Sequence, residues 1–271
     1  MRCYRPRVHD LLRLYDERVR ATTLDQLPAG WTGERDGPLA RCVLPHGTGF
    51  AMLIDDASGV SEAELAGLVD RTVGFFSGRK MAFEWKTYDH DRAELPALLL
   101  SRGAVAEPHE ALVLGETAAL AGPVVVPPGL TLREVRDHAD FVGISALKAA
   151  VWHDESTWLA TELESRVDSG EVRAFVVEDG AVTDGPRVVS AAWLEPLPGT
   201  GVAGLWGGST LAEYRHRGCY RALLAVRANL AQELGYPVLQ VDASDDSRPI
   251  LTRLGLHVVG GTTPYQFAPT S

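Results

Sequence analysis

The chain has little cysteine, no long apolar run and a deficit of positive charge, and each scarcity removes a class of protein. Cys3, Cys42 and Cys219 are its only cysteines, scattered without paired spacing. They offer no disulfide framework and no structural zinc motif, suit a reducing compartment, and leave no metal expected. The opening MRCYRPRVHDLLRLYDERVR carries charges every few positions, and no other stretch reaches the length of a membrane span. A soluble, cytoplasmic protein without a membrane partner is the expectation. Lys and Arg number 26 against 36 Asp and Glu, a formal net charge of −10, which argues against nucleic acid as a partner. What is plentiful is core material. Hydrophobic residues make up 45% of the 271, enough for one large domain or two ordinary ones.

The best place to divide the chain is ETAALAGPVVVPPGLTLREV, where Pro123, Pro127 and Pro128 interrupt any helical period. Domains over 1–122 and 129–271 follow. In the second, Phe141, Ile144, Leu147 and Val151 recur at helical spacing, as do Trp158, Leu159 and Leu163 before Gly170. VRAFVVED, RVVSAAWLEP and VAGLWGGST read as three strands, the first two joined through Asp-Gly turns at 179–180 and 184–185. YRALLAVRANLAQELG reads as a helix with Ala222, Leu223, Val226, Leu230 and Leu234 on one side. PVLQVDAS is a strand, DSRPILTRLG a short helix capped by Ser247 with an early Pro249, and LHVVGGTTPYQF a closing strand. The order implies a mixed α/β sheet with a crossover helix between two neighbouring parallel strands.

The first domain repeats this order more thinly. FAMLIDD and MAFEWKTYD read as strands around the helix SEAELAGLVDRTVGFFSG, and LPALLLSRGAVAEPHEALVLG resembles RPILTRLGLHVVGGTTPYQF. Internal duplication explains the likeness; so does the general similarity of helix–strand pairs that end in glycine.

One stretch resists a purely structural explanation. In GGSTLAEYRHRGCYRALL, Arg215, His216, Arg217 and Arg221 crowd around Gly218, directly before a helix. The start of a helix is its positive end, so cations there are disfavoured unless an anion joins them. A glycine loop running from strand to helix exposes successive N–H groups that can cradle phosphate. The alternatives are arginines that point to solvent and pair with Glu213, or that precede the helix.

Arg215-His216-Arg217-Gly218-Cys219-Tyr220 resembles the Arg/Gln-x-x-Gly-x-Gly/Ala signature of the Gcn5-related N-acetyltransferases. VDASDDSRPILTRLGL downstream resembles the family's late strand–helix segment with its "LGF"-like ending, and the likeness covers most of 129–268. It implies the acyl-CoA N-acyltransferase (GNAT) fold, in tandem with a truncated first copy. It implies acetyl-CoA as cosubstrate and transfer of its acetyl group to a primary amine, of a small molecule or a peptide, by direct attack. The first domain has no Arg-x-x-Gly loop, so it would bind no cofactor. The assembly is compatible with a homodimer. A non-catalytic acyl-CoA-binding regulator is the competing reading.

Under this likeness the backbone from Arg215 to Arg221 would hold the pyrophosphate, and Gly208, Ser209 and Thr210 would line the pantetheine. Ser244 stands where relatives have an Asn near the cofactor. Adjacent glycines in a strand mark a bulge or a close backbone approach, and a bulge at Gly207–Gly208 would aim an N–H at the thioester carbonyl; the alternative is an ordinary turn. Tyr220 replaces a small residue, so its ring points away from the pyrophosphate or lies beside the cofactor; the alternative is a surface tyrosine on the first turn. Cys219 is read as apolar filler rather than nucleophile. Relatives donate a proton from a tyrosine where this chain has Leu251, which leaves Tyr220 and Tyr265 as candidate acids. Glu195 and Asp242 are candidate bases, although Asp242 could equally cap a turn. The VWHDESTW segment offers Trp152, His153, Asp154 and Trp158 as acceptor walls; the tryptophans could instead be core and Asp154 or Ser156 a helix cap.

Overall fold

A computed structural model describes residues 8–153, 158–181 and 187–270. The elements run in chain order as α1 (Val8–Tyr15), β1 (Thr32–Asp36), β2 (Leu39–Val43), β3 (Gly49–Leu53), α2 (Glu62–Ser77), β4 (Phe83–Tyr88), α3 (Leu95–Ser101), β5 (Val105–Ala106) and β6 (Glu110–Glu116). They continue with β7 (Leu130–Glu134), α4 (His138–Trp152), α5 (Leu159–Asp168), β8 (Arg173–Asp179), β9 (Arg187–Leu197), β10 (Val202–Thr210), α6 (Cys219–Glu233), β11 (Val238–Ala243), α7 (Arg248–Arg253) and β12 (His257–Phe267). Among the described residues no helix is long and apolar enough to cross a membrane.

The chain forms two compact units, and they do not follow the expected cut. The first holds residues 1–114 together with 242–271; the second holds 115–241. Chain order places the last segment with the second domain, but strand pairing places it with the first. β12 lies between β4 and β6, antiparallel to both, with Tyr265 opposite Trp85 and Val258 opposite Val113. The proline-rich segment is not a free linker either. Asn229 of α6 donates to the Gly122 carbonyl and accepts from its N–H, at 2.9 and 2.8 Å.

In the first unit the sheet order is β1-β2-β3-β4-β12-β6, with β5 against β12. Helix α2 starts with a capping box, Ser61 accepting from the Glu64 N–H while Glu64 accepts from that of Ser61. Leu65, Leu68, Val69 and Phe76 bury its inner side in a core with Leu39, Leu53, Phe83, Trp85, Tyr265 and Phe267. Phe83 and Phe267 stack at 4.3 Å.

In the second unit the sheet order is β11-β10-β9-β8-β7. The expected crossover is present: α6 connects β10 to the parallel β11, with Val202 to Gly204 beside Val238 to Gln240. Phe141, Ile144, Leu147 and Leu163 pack on Val176, Val189 and Ala191. The expected apolar side of α6 holds at Ala222 and Leu223, with Val226 and Leu230 half-buried. Leu234 departs from it, exposed beyond the last turn. Ser247 stands at the start of α7 without capping it, because its hydroxyl turns back to the Ser244 carbonyl.

Candidate functional site

Strand β10 begins as an interior strand and ends as an edge. Its pairing with β11 stops at Gly204, so from Leu205 onward only β9 pairs with it among the described residues. The register with β9 then breaks: Trp206 faces Trp193, but the next pair is Ser209 with Ala191. Gly207 and Gly208 form the bulge between them. Gly207 sits at φ +65°, and a Cβ there would fall within about 2 Å of the Trp193 ring. Gly208 would place its Cβ 3.0 Å from the Tyr220 ring. Gly207 is therefore demanded by the Trp193 ring, while at Gly208 a side chain would only crowd the Tyr220 ring. An unpaired edge is a template for another extended chain.

Beyond Thr210 the chain turns through Arg215 to Gly218. His216 and Gly218 both adopt left-handed backbone, at φ +60° and +107°. Gly218 is the N-cap of α6, and no side chain caps the helix. The four N–H groups of a first turn have no partner within their own helix. Arg215, His216, Arg217 and Arg221 are all exposed around this start. Arg217 stacks on Tyr214, 4.9 Å from the ring centre, and Arg215 donates to the Thr210 carbonyl. Glu213 takes an ion pair from Arg187 at 3.3 Å. Left-handed turns, a helix start without a side-chain cap and surrounding cations together make a fit for a diphosphate. Cys219 is buried in the apolar core, and burial pushes its thiol up.

Helix α4 meets this strand end. Asp137 and Asp140 form its capping box, and Arg133 grips Asp140 and Glu178 at 2.5 and 2.7 Å, holding the Asp140 carboxyl below its usual range. At its other end Trp152, half-exposed, donates from Nε1 to Ser209 Oγ at 2.9 Å. Ser209 is also fixed through its carbonyl, which accepts from Ser190 Oγ, and Thr210 Oγ1 lies 2.7 Å from the same hydroxyl. His153 ends α4 in left-handed backbone, and the Lys148 ammonium lies 5.9 Å from the Trp158 ring. Asp154 and Ser156 lie outside the described residues, as does the turn at 184–185.

The candidate acids and bases are dispersed. Tyr220 lies over Gly208 in the second unit. Glu195, opposite Gly204, is ion-paired with Arg166 at 2.5 Å. Tyr265 is buried in the apolar core of the first unit, where burial raises its pKa. Asp242 belongs to the first unit too, ion-paired with Lys86, and Ser244 lies two residues beyond it, its hydroxyl 3.3 Å from Ser247. Leu251 is fully buried.

One residue at this site escaped the reading of the sequence. Arg227, two turns beyond Tyr220 on α6, is 1% exposed. Its Nη1 donates to the carbonyls of Trp193 and Trp206, at 3.1 and 3.3 Å, and its Nε to Leu223. It has no carboxylate partner among the described residues, and burial lowers its pKa to about 10. It thus braces the strand pair directly before the bulge. The available signal was a cation seven residues from Tyr220 and four from Leu223, on the strand-facing side.

No family model matches the chain, and no curated protein matches it. Solved structures do. A GCN5-related N-acetyltransferase from Kribbella flavida aligns with a TM-score of 0.68 and 18% identity over 94% of this chain and 95% of that one. A tandem GNAT protein from the clavulanic acid biosynthesis pathway gives 0.58 and 16%, covering 93% and 87%. A GCN5-related N-acetyltransferase from Sphaerobacter thermophilus gives 0.55 and 16%, covering 86% and 81%. The fold is the mixed α/β fold of these N-acetyltransferases, and a tandem member is among the structures that share it.

Proposed function

We propose that the chain is an acetyl-CoA-dependent N-acetyltransferase whose cofactor site lies in the second unit. The observation that carries this reading is the continuity of three features: a strand end whose pairing with β11 has stopped, a glycine bulge in it, and a helix start without a side-chain cap, ringed by cations. In this reading the backbone from Arg215 to Arg221 holds the diphosphate, with Arg217 and Arg221 adding charge. Ser209 and Thr210, fixed by Trp152 and Ser190, hold the edge in place for the pantetheine amides. The thioester supplies an activated acyl group. A neutral primary amine forms the new C–N bond as the C–S bond breaks, the sulfur leaves as thiolate, and the amine loses one proton. A bulge N–H at Gly207 or Gly208 offers a donor to the carbonyl oxygen as its charge grows. Tyr220, lying over Gly208, is the side chain best placed to protonate the thiolate. The first unit supports this reading as a GNAT-like partner without a cofactor loop.

Titration calorimetry with acetyl-CoA tests the site, and coenzyme A release over a panel of primary amines tests the activity. Heat of binding is expected, weakening as ionic strength rises. Gly218→Val, which forces a β-branched residue into left-handed backbone, is expected to weaken binding at least tenfold. No heat with the wild-type protein removes the reading. Tight binding with no release over any amine would leave an acyl-CoA-binding regulator.

A further inference from the structure

The two faces of the first unit's sheet differ in chemistry. On β4, Phe83 and Trp85 enter the apolar core, so Glu84, Lys86 and Tyr88 occupy the opposite face. The register continues that face across the sheet. Gln266 lies opposite Glu84, Pro264 opposite Lys86, and Thr262 opposite both Tyr88 and Glu110. Tyr15 of α1 covers it, its hydroxyl 2.9 Å from that of Tyr88, and Asp242 closes it through its ion pair with Lys86.

Two polar atoms on this face are buried and have no hydrogen-bond partner among the described residues: Asp242 Oδ1, on a side chain 4% exposed, and Thr262 Oγ1, on a residue 0% exposed. A buried acceptor left unsatisfied is costly, which makes it a pointer to something that fills it. The charge balance says what. Among the described residues, Lys86 is the lysine or arginine whose charge acts on Glu84 and Glu110 as well as pairing with Asp242, while the nearby Arg20 guanidinium is engaged by Asp91 and the Leu53 carbonyl. Gln266 donates to one oxygen of Glu84. Burial pushes the Glu84 and Glu110 carboxyls up, and the charge of Asp242 adds to the effect in both. The face is rich in acceptors and short of donors, and an ammonium brings three donors and no acceptor.

We propose that this polar face of the first unit binds a primary amine in its ammonium form, one N–H going to Asp242 Oδ1, with Glu110 and Glu84 as the flanking carboxylates. Binding requires no thioester. In so far as the amine is the acetyl acceptor, the inference rests on the acetyltransferase reading; as a binding site it stands apart from it.

The test is an NMR titration of the full chain with 1-aminobutane and, in parallel, with uncharged 1-butanol. Saturable shifts are expected with the amine at amides of β4, β6 and β12, and none with the alcohol. Asp242→Asn should weaken the amine at least tenfold. That variant leaves Lys86 without its carboxylate and can fail to fold, so Glu110→Gln and the shape-conserving Thr262→Val carry the test as well, each expected to weaken binding several-fold. Equal response to amine and alcohol overturns the proposal, as does unaltered affinity in all folded variants; water alone would then fill the two atoms. Arg217→Ala separates the two readings, because it should weaken the heat with acetyl-CoA and leave the amine titration unchanged.

Discussion

Burying an ion without a counter-ion costs several kcal/mol, yet Arg227 sits 1% exposed with no carboxylate partner among the described residues and its donors on three carbonyl oxygens. The position of two of those oxygens supplies a reason. Trp193 and Trp206 are the last regular pair before the bulge, and a bulge disrupts the ladder next to it. A fixed fork of N–H donors reaches both strands at once. Methionine at this position fills similar volume, removes the buried charge and orphans two carbonyls. The first change is often worth about 1–4 kcal/mol in favour of folding, and each orphaned carbonyl costs about 1–3. The terms nearly cancel, so Arg227→Met should leave the melting temperature close to that of the wild type. The effect belongs instead to the strand end. Hydrogen exchange at the amides of Gly207 to Ser209 should accelerate about tenfold or more, a local loss of about 1.4 kcal/mol. Unchanged exchange there would show that Arg227 fills space without bracing anything.

At the scale of the element, β10 is made by its neighbours as much as by its own residues. VAGLWGGST has the apolar run of an interior strand and the glycines of an interrupted one, and the strand covers those nine residues, Val202 to Thr210. Gly207 is enforced from outside by the ring of Trp193, and Gly208 lies close under that of Tyr220. Gly207→Ala combines left-handed backbone, about 1–2 kcal/mol, with overlap on an indole, about 1–3. A loss of about 2–5 kcal/mol is expected by thermal or urea unfolding. Much of the second part should return in the double variant Gly207→Ala/Trp193→Ala, beyond what the two single changes predict additively. Strict additivity would mean that Trp193 is not what the glycine accommodates. This strand and the loop after it were legible because their residue types are unusual for their place: paired glycines in a strand, and arginines at a helix start. Arg227 was not, since one cation in a helix ordinarily belongs to a solvated side. Nor was the β1–β2 hairpin, because Thr32 to Arg35 are exposed and no alternation of burial marks the strand.

For the whole molecule, the course of the chain and the grouping of its contacts differ, and pairing partners explain why. The segments LPALLLSRGAVAEPHEALVLG and RPILTRLGLHVVGGTTPYQF look alike in sequence, and each forms a helix followed by a strand. What the sequence cannot display is that the two strands are neighbours, β6 antiparallel to β12. Alternation of residues marks a strand and its buried face; it does not name the strand beside it. The consequence for stability is direct. A fragment ending at residue 122 would keep β4 and β6 but lose the strand between them, together with Tyr265 and Phe267 from its core. Burial of a large apolar side chain is worth about 1.5–3 kcal/mol, so the two rings alone contribute about 3–6, a large part of the 5–15 that holds a typical domain. The fragment 1–122 should therefore show no cooperative thermal transition and no native near-ultraviolet dichroism. Joining residue 114 to residue 242 through a flexible Gly/Ser linker, with 115–241 deleted, returns β12 to the same chain as β4 and β6 and should restore both signals. If 1–122 melts cooperatively alone, β12 is an addition to an already complete sheet, and the division of the chain near the prolines stands after all.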